Sequence, residues 1–488
     1  MIPLSLAEIA AVVDGRLHNA TGGELVTGTV EFDSRTIGPG GLFVAMPGER
    51  VDGHEFAADA VRGGAVGVLA AREVPVPSVI VSPVEFLSSR ALALAGDTDG
   101  AGAAVLAALA ALARCVVDRL TPGGLTVVAV TGSSGKTSTK DLIAGLLTRI
   151  GPTVAPPGSF NNELGHPWTV LRADEQTRHL VLELSARGVG HVAALCRVAP
   201  PRIGAVLNVG SAHLGEFGSR AEIAKAKGEL VEALPIDGIA VLNADDPLVA
   251  AMADRTNARV VFVGESERAH VRAVEITTDE QVCPRFRLVT PAGDAQVHLA
   301  VHGAHQVGNA LTAAAVALEL GMEVADVAEA LSEARPVSRR RMEVTTRPDG
   351  VTVINDAYNA NPESVSAALK ALAALARADP VAPRRTWAVL GLMGELGPDA
   401  EARHDDIGRL AVRLDIRRLV VVGEEARPMH QGAYLEGSWG EESVLVPDID
   451  AAIALLRDEL RPGDAVLVKA SNFIGLWRVA DALLDGDA

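Results

Sequence analysis

Residues 126–140 read TVVAVTGSSGKTSTK, and the reading of this stretch decides the fold. Residues 126–130 are a short apolar run rich in β-branched side chains, which predicts a buried parallel strand. The strand empties into Gly132, Ser133, Ser134, Gly135, Lys136, Thr137 and Ser138, and a helix then begins. Unpaired N–H groups at a helix N-terminus, with glycines that let the main chain approach closely, make an anion site. Lys136 adds a charge able to reach the β- and γ-phosphates of a nucleotide, and the Thr137 hydroxyl is placed to hold magnesium. The common form of this motif has its first glycine where Val130 stands; here the glycine is Gly132.

Outward from that loop, residues 98–336 alternate strand and helix, with strands expected at 180–184, 203–209, 239–243 and 260–264. Short antiparallel strands follow at 270–301, and a helix at 302–320. This is the pattern of a mostly parallel sheet with helices on both faces, whose ligands sit beyond the carboxyl ends of the strands. Glu183 and Asn208 fall at such ends, His213 lies in the loop NVGSAHLGEFGS, and Asn161 and Asn162 lie in GSFNNELGHP. Together beside a phosphate loop they suggest a magnesium and nucleotide site. A helix from Ser219 carries Lys225 and Lys227, which are expected to be solvated as helix lysines usually are. His305 and Asn309 stand near the start of the 302–320 helix.

The first hundred residues read as a self-contained α/β unit, with a helix at 4–13 and strands at 26–32, 41–46, 66–70 and 78–81. Its turn Asp33, Ser34, Arg35, Thr36 offers a planar guanidinium fork for phosphate or carboxylate. The last section, 337–488, alternates again, with strands at 351–355, 386–390, 419–422 and 465–468. Its strand ends carry Asp356, Tyr358, Asn359 and Asn361, the run GLMGELG, and Lys469 to Ser471. Ordinary capping and turn chemistry is the alternative reading for each of these. The boundaries expected are therefore 1–97, 98–336 and 337–488.

With 488 residues, 48% of them hydrophobic, the chain can build more than one core, and usual domain sizes suggest about three. A net charge of −18 argues against a nucleic-acid partner, which needs basic surface to displace counterions. The three cysteines, Cys115, Cys196 and Cys283, are scattered and fit a reducing compartment rather than a disulfide or zinc framework. The opening MIPLSLAEIAAVVDGR has no basic stretch before its apolar residues, so it is not expected to be a secretory signal. The apolar tract 101–113 is too short to cross a bilayer and reads as a buried or linking helix. A cytoplasmic protein without membrane insertion is expected.

The set TGSSGKTS, NNELG, the strand-end Glu183, NVGSAHLGEFGS, AKGEL, NADDP, RME, DAYNANP and LGLMGELG resembles the Mur ligase family of peptidoglycan synthesis. NNELG, DAYNANP and GELG bring it nearest the branch that joins D-alanyl-D-alanine to UDP-N-acetylmuramoyl tripeptide. The resemblance implies three α/β domains: a small N-terminal UDP-substrate domain, a central P-loop ATPase domain with a parallel sheet, and a C-terminal Rossmann-like domain. It implies ATP-dependent amide ligation through an acyl phosphate by a monomeric enzyme. By the same resemblance Ser34 and Arg35 belong to the UDP-substrate site, and Asn161, Asn162, Tyr358, Asn359 and Asn361 to substrate binding. Residues 132–138 would cradle ATP, with Asn309, Arg341 and Asp356 touching the nucleotide from the hinge side. Thr137 and Glu183 would hold one magnesium ion and His213 a second.

Lys227, at the AKGEL position, matches a lysine that is carbamylated in relatives. An ammonium repels a metal, whereas a carbamate offers it an anionic oxygen. The chain departs from the family's common pattern in two places. Ser185, Ala186 and Arg187 follow Glu183 where relatives have glycine, alanine, asparagine and histidine. Asn472 ends the run Lys469, Ala470, Ser471 where relatives have lysine, glycine, serine, arginine. Two alternatives stay open: another amide ligase of the family, against which the Arg35 region and DAYNANP argue, and a nucleotide-dependent regulator that hydrolyses ATP without ligation.

Overall fold

The computed structural model describes residues 1–48, 51–84, 94, 97–211, 214–378, 383–437 and 440–485. At its centre a nine-stranded sheet runs Gly293–His298, Pro284–Thr290, Val271–Thr278, Arg259–Gly264, Ile239–Asn243, Ile203–Val206, Thr126–Thr131, His179–Glu183, Thr153–Val154. Pairing is parallel from Thr153–Val154 through Val271–Thr278 and antiparallel at the last two junctions. Strand Thr126–Thr131 is buried on both faces, as the crossover helices of a parallel sheet require. The chain leaves it toward one edge, returns alongside as His179–Glu183, and continues on its other side as Ile203–Val206. That reversal makes the end of Thr126–Thr131 the switch point where open sheets bind ligands.

The strands expected at 270–301 form, and they extend this sheet. Strand 203–209 stops at Val206, so Asn208 lies in the loop beyond it. A six-stranded C-terminal sheet has the order Glu343–Thr346, Thr352–Asn355, Ala465–Lys469, Thr386–Leu390, Arg418–Val422, Ser443–Val446. Glu343–Thr346 and Ser443–Val446 were not expected. Each is a four-residue strand at the sheet edge, too short to stand out in the sequence, and its partner strand organises it. In the N-terminal part the expected strand 26–32 is divided. Leu25–Val26 pairs with Leu4–Ser5, while Val30–Glu31 edges a five-stranded sheet.

The first hundred residues are not self-contained. Leu4, Ile9 and Leu42 share one apolar cluster with Val105, Leu109, Leu112, Val127 and Leu182. Helix Ala101–Leu120 joins them, and it is longer than the 101–113 tract suggested. Arg114 ends the apolar run in sequence, but its side chain points outward to Asp118 while Leu112, Val116, Val117 and Leu120 continue the buried stripe. Among the described residues it is the one helix long and apolar enough to cross a membrane, and 56% of its most apolar window is buried. It is a core helix in this fold.

Candidate active site

The phosphate loop is braced by hydrogen bonds from its neighbours. Asn208 Oδ1 accepts the Ser133 and Ser134 N–H groups at 3.0 and 2.9 Å, its Nδ2 donates to Ser134 O at 3.2 Å, and Gly210 N–H donates to Ser133 Oγ at 2.9 Å. Gly135 has φ of 81°, and a Cβ there would lie 2.5 Å from Asn309 Oδ1, so only glycine fits. Helix Lys136–Leu147 starts at that glycine with no side-chain cap, which leaves its first N–H groups for an anion. Lys136 Nζ donates to Gly132 O at 2.8 Å. Burial lowers its pKa and so, less strongly, does Arg341, while Glu183 raises it. Two cations crowd one place, and a polyphosphate would relieve them.

Glu183, 1% exposed, sits beside the loop. Thr137 Oγ1 donates to its Oε2 at 2.8 Å, and Ser159 Oγ and Asn161 Nδ2 donate to its Oε1 at 2.9 and 2.6 Å. A buried carboxylate beside the Thr137 and Ser159 hydroxyls offers oxygen ligands of the kind a hard divalent cation takes. Thr137, Glu183 and Asn161 are thus brought together. Asn162 is not with them: its Oδ1 accepts Gly165 N–H at 2.9 Å at the start of helix Gly165–Val170. Asn309 lies under the phosphate loop, its side chain taken up by Thr139 Oγ1 at 3.1 Å and Gln306 Oε1 at 2.8 Å. Ser138 lines a cavity of about 120 Å³ with Leu142, Gln306, Val337, Arg341 and Met342. His213 lies outside the described residues.

Helix Arg220–Glu232 is capped by Ser219 and carries the two lysines to opposite fates. The Lys225 side chain is 60% exposed, as expected. Lys227 is 3% exposed, against expectation, because its face of the helix packs against helix His191–Val198 and the central strands Ile203–Val206 and Thr126–Thr131. Burial, then the nearby Lys136 charge, pushes its pKa well below the ordinary lysine range. Among the described residues no carboxylate pairs with it. The next residue, Gly228, lies under the Arg255 guanidinium, which a Cβ would approach to 1.9 Å. Arg255 donates there to the Ala224 and Lys225 carbonyls at 3.0 and 2.8 Å.

The C-terminal sheet presents its strand ends to the same place. Asn361 caps helix Pro362–Arg377, and its Nδ2 reaches Ser133 O at 3.5 Å. Glu363 accepts from Ser211 N–H at 2.7 Å and Ser211 Oγ at 3.0 Å. Gly215 N–H donates to Glu395 O at 3.2 Å, where Gly215 and Gly397 meet so closely that a Cβ on either would strike the other's backbone. The Arg341 guanidinium lies 4.2 Å over the Tyr358 ring, and its buried Nε has no hydrogen-bond partner. Asp356 is engaged within this part, by Met342 N–H at 3.0 Å and Lys469 Nζ at 2.5 Å. Asn359 is exposed.

Ser34 and Arg35 stand apart from this cluster. The Arg35 side chain is 86% exposed and forks onto its own neighbour Asp33 at 2.9 and 2.7 Å, which holds that carboxyl down to about 2. The N-terminal part meets the central loop through Phe32, Phe160 and Trp168, with Trp168 Nε1 donating to Glu31 at 3.2 Å.

Ser159, Glu363 and Lys140 escaped the sequence reading. Lys140 is 1% exposed and donates to Pro156 O at 2.8 Å and to Asp141, bracing the loop before Ser159. Its place one helical turn beyond Lys136, on the same side of the helix, was the available signal.

Fold and site together define a P-loop α/β protein with a nucleotide-type anion site at the switch point of a parallel sheet. Family models match in three consecutive pieces: Mur ligase family, catalytic domain, over residues 28–113; Mur ligase middle domain over 130–317; and Mur ligase, glutamate ligase domain, over 340–472. The UDP-N-acetylmuramoyl-tripeptide–D-alanyl-D-alanine ligase of Mycobacterium tuberculosis (strain ATCC 25618 / H37Rv) is 59% identical, with 100% of this chain and 99% of that one covered. The Escherichia coli (strain K12) ligase of the same name is 31% identical over 99% of each. Among solved structures, MurF from Acinetobacter baumannii superposes with a TM-score of 0.83 at 28% identity, covering 99% of both chains. MurF from Thermotoga maritima in complex with ADP does so with 0.76 at 28% identity, covering 94% of this chain and 98% of that one. The chain belongs to the Mur ligase family.

Proposed function

We propose that this chain is an ATP-dependent amide ligase that joins D-alanyl-D-alanine to UDP-N-acetylmuramoyl tripeptide, releasing ADP and phosphate. The observation that carries the reading is the 59% identity to the Mycobacterium tuberculosis ligase along the full length of both chains. The contact of the Asn361–Glu363 turn with Ser133 and Ser211 adds to it, since it sets the C-terminal part over the phosphate loop. In this reading 1–97 takes the UDP-substrate, 98–336 takes ATP and 337–488 takes the dipeptide. The protein works as a monomer in the cytoplasm.

A carboxylate is a poor electrophile, so the tripeptide carboxylate must first be phosphorylated by ATP and then attacked by the dipeptide amine. Two anions have to meet in the first step. Lys136, Arg341 and the free N–H groups at the start of helix Lys136–Leu147 supply positive potential where they meet. Asn208 keeps that loop from rearranging. Thr137 and Glu183 would hold one magnesium ion, and His213 with a carbamylated Lys227 a second. The ions supply further charge against the phosphoryl oxygens. The cavity lined by Ser138, Gln306 and Arg341 lies beside the phosphate loop, where the nucleoside end would be placed. Seating of the C-terminal part on Ser133, Ser211 and Gly215 excludes water from an acyl phosphate.

The test is joint dependence: phosphate release and formation of the UDP-muramoyl pentapeptide should both require tripeptide and D-Ala-D-Ala together. ATP hydrolysis without a covalent product would remove the ligase reading. Carbamylation has its own test. Lys227→Ala should lose about 10²-fold in rate and regain part of it with short-chain carboxylic acids; full activity in that variant rules the carbamate out.

A further inference from the structure

The link between the central and C-terminal sheets contains a strained tripeptide. Arg340 and Met342, on either side of Arg341, have φ of 62° and 49°. Side chains with a Cβ occupy that left-handed region only where their surroundings enforce it. Four contacts do so here, one of them the Arg340 N–H donated to Glu343 Oε2 at 3.0 Å. Asp356 Oδ1 accepts Met342 N–H at 3.0 Å, Tyr358 N–H donates to Arg340 O at 3.2 Å, and the Arg340 guanidinium stacks 3.8 Å over Trp477. Asp356 is held in turn by Lys469, which is 3% exposed. Its ammonium donates to Asp356 Oδ2 at 2.5 Å, Asp356 O at 3.3 Å and Asn359 O at 2.9 Å. An ammonium has three protons, and all three are directed to residues 356–359.

We propose that Lys469 is a positioning residue for ligation. Through Asp356 it fixes the strained link and the 356–361 turn as one piece, so that Arg341 faces the phosphate site while Asn361 and Glu363 seat on Ser133 and Ser211. The proposal rests on the ligase reading and goes beyond it, because Lys469 itself touches neither the phosphate loop nor Glu183. The same contacts explain why lysine stands here although the residues after it depart from the family's common run. The ammonium's work is internal to the 356–359 turn and does not need the arginine that Asn472 replaces.

The experiment compares wild type, Lys469→Met and Lys469→Arg as full-length enzymes. In Lys469→Met kcat should fall about tenfold or more, while KM for the UDP-tripeptide stays within about twofold, since misorientation costs rate at a site whose first substrate binds elsewhere. With a non-hydrolysable ATP analogue and UDP-tripeptide present, small-angle scattering should give a smaller radius of gyration for wild type than for Lys469→Met. Lys469→Arg, which keeps the charge beside Asp356, should recover much of both. If Lys469→Met does not fold, Lys469→Gln, which can still donate to Asn359 O, is read the same way. A lysine that merely stabilises the fold would lower the melting temperature but leave kcat and compaction of the folded enzyme at wild-type values, and that result overturns the proposal. Failure of wild type itself to form the amide would instead overturn the ligase reading on which it rests.

Discussion

The phosphate loop and the Asp33–Arg35 turn both offer cations to phosphate, and they are built in opposite ways. Around the loop, half-buried Lys136 and Arg341 and fully buried Lys227 are drawn together, and the neighbouring polar groups are already tied to Asn208, Asn161 and Ser159. At the turn, Arg35 projects into solvent and satisfies itself on Asp33. A preorganised, desolvated cation is worth far more to developing charge than a solvated one, because nothing need reorganise when the charge appears. The solvated arginine must first leave its carboxylate. The comparison teaches that the two regions should respond to mutation on different axes, rate for the loop and affinity for the turn.

The sharpest way to break that contrast is Lys136→Ala. It should lower kcat by about 10² to 10³ while binding of the UDP-substrate, measured by calorimetry, is unchanged. Equal losses in rate and in that affinity would mean the two regions do not divide the work. Next in size is a pH effect from His166, fully buried in helix Gly165–Val170, which follows the loop that carries Asn161. Neither of its ring nitrogens makes a hydrogen bond of normal geometry, the Leu195 backbone gives only weak support, and burial pushes the ring down to about 4 from 6.5. The unfolded chain takes up that proton first as pH falls. Stability is therefore lost between about pH 6.5 and 4, by roughly 3 kcal/mol at 1.36 kcal/mol per unit. Unfolding free energies of wild type and His166→Gln, measured by denaturant titration at pH values across that window, should diverge by about this amount in total, and parallel pH curves would refute it.

Arg35→Ala should raise KM for the UDP-substrate about tenfold with kcat and melting temperature unchanged, the loss of one exposed bidentate contact. A fall in kcat would move the turn into the chemical step. The smallest effects come from the lysine pair. Lys227 is disfavoured in the fold because burial depresses its pKa, so the stability it costs is greatest below its folded pKa and is relieved as pH rises from there toward the ordinary lysine range. In bicarbonate-free buffer at pH 7, Lys227→Met should raise the melting temperature by about 2–4 °C, and Lys225→Met should leave it alone. An equal response at both positions would show that burial does not distinguish them.

How much of this was legible beforehand depended on whether a signal was local. The strand, the glycines and Lys136–Thr137 are contiguous, and a parallel strand feeding a phosphate loop announces itself in a dozen residues. Glu183, Asn161 and Asn208 could be placed at one sheet edge because strand ends are readable, but only the fold shows Asn161 on Glu183 and Asn162 turned away to Gly165. Lys225 and Lys227 look alike in sequence; one helix face was packed and the other was not. Helix Ala101–Leu120 was cut short at Arg114 for the same reason, since a charge that points outward does not interrupt a buried stripe.

What the sequence by itself determined is the family, the alternation of strand and helix, and the position of the phosphate loop, since each is written in residues close along the chain. What tertiary structure alone decided is which charges are buried together and how the parts are joined. The continuous core through Ala101–Leu120, the seat of Glu363 on Ser211, and the Lys469–Asp356 clasp on the strained link all unite residues far apart in the chain. Burial and pairing depend on what lies across a gap, and no pattern local to one stretch encodes its partner.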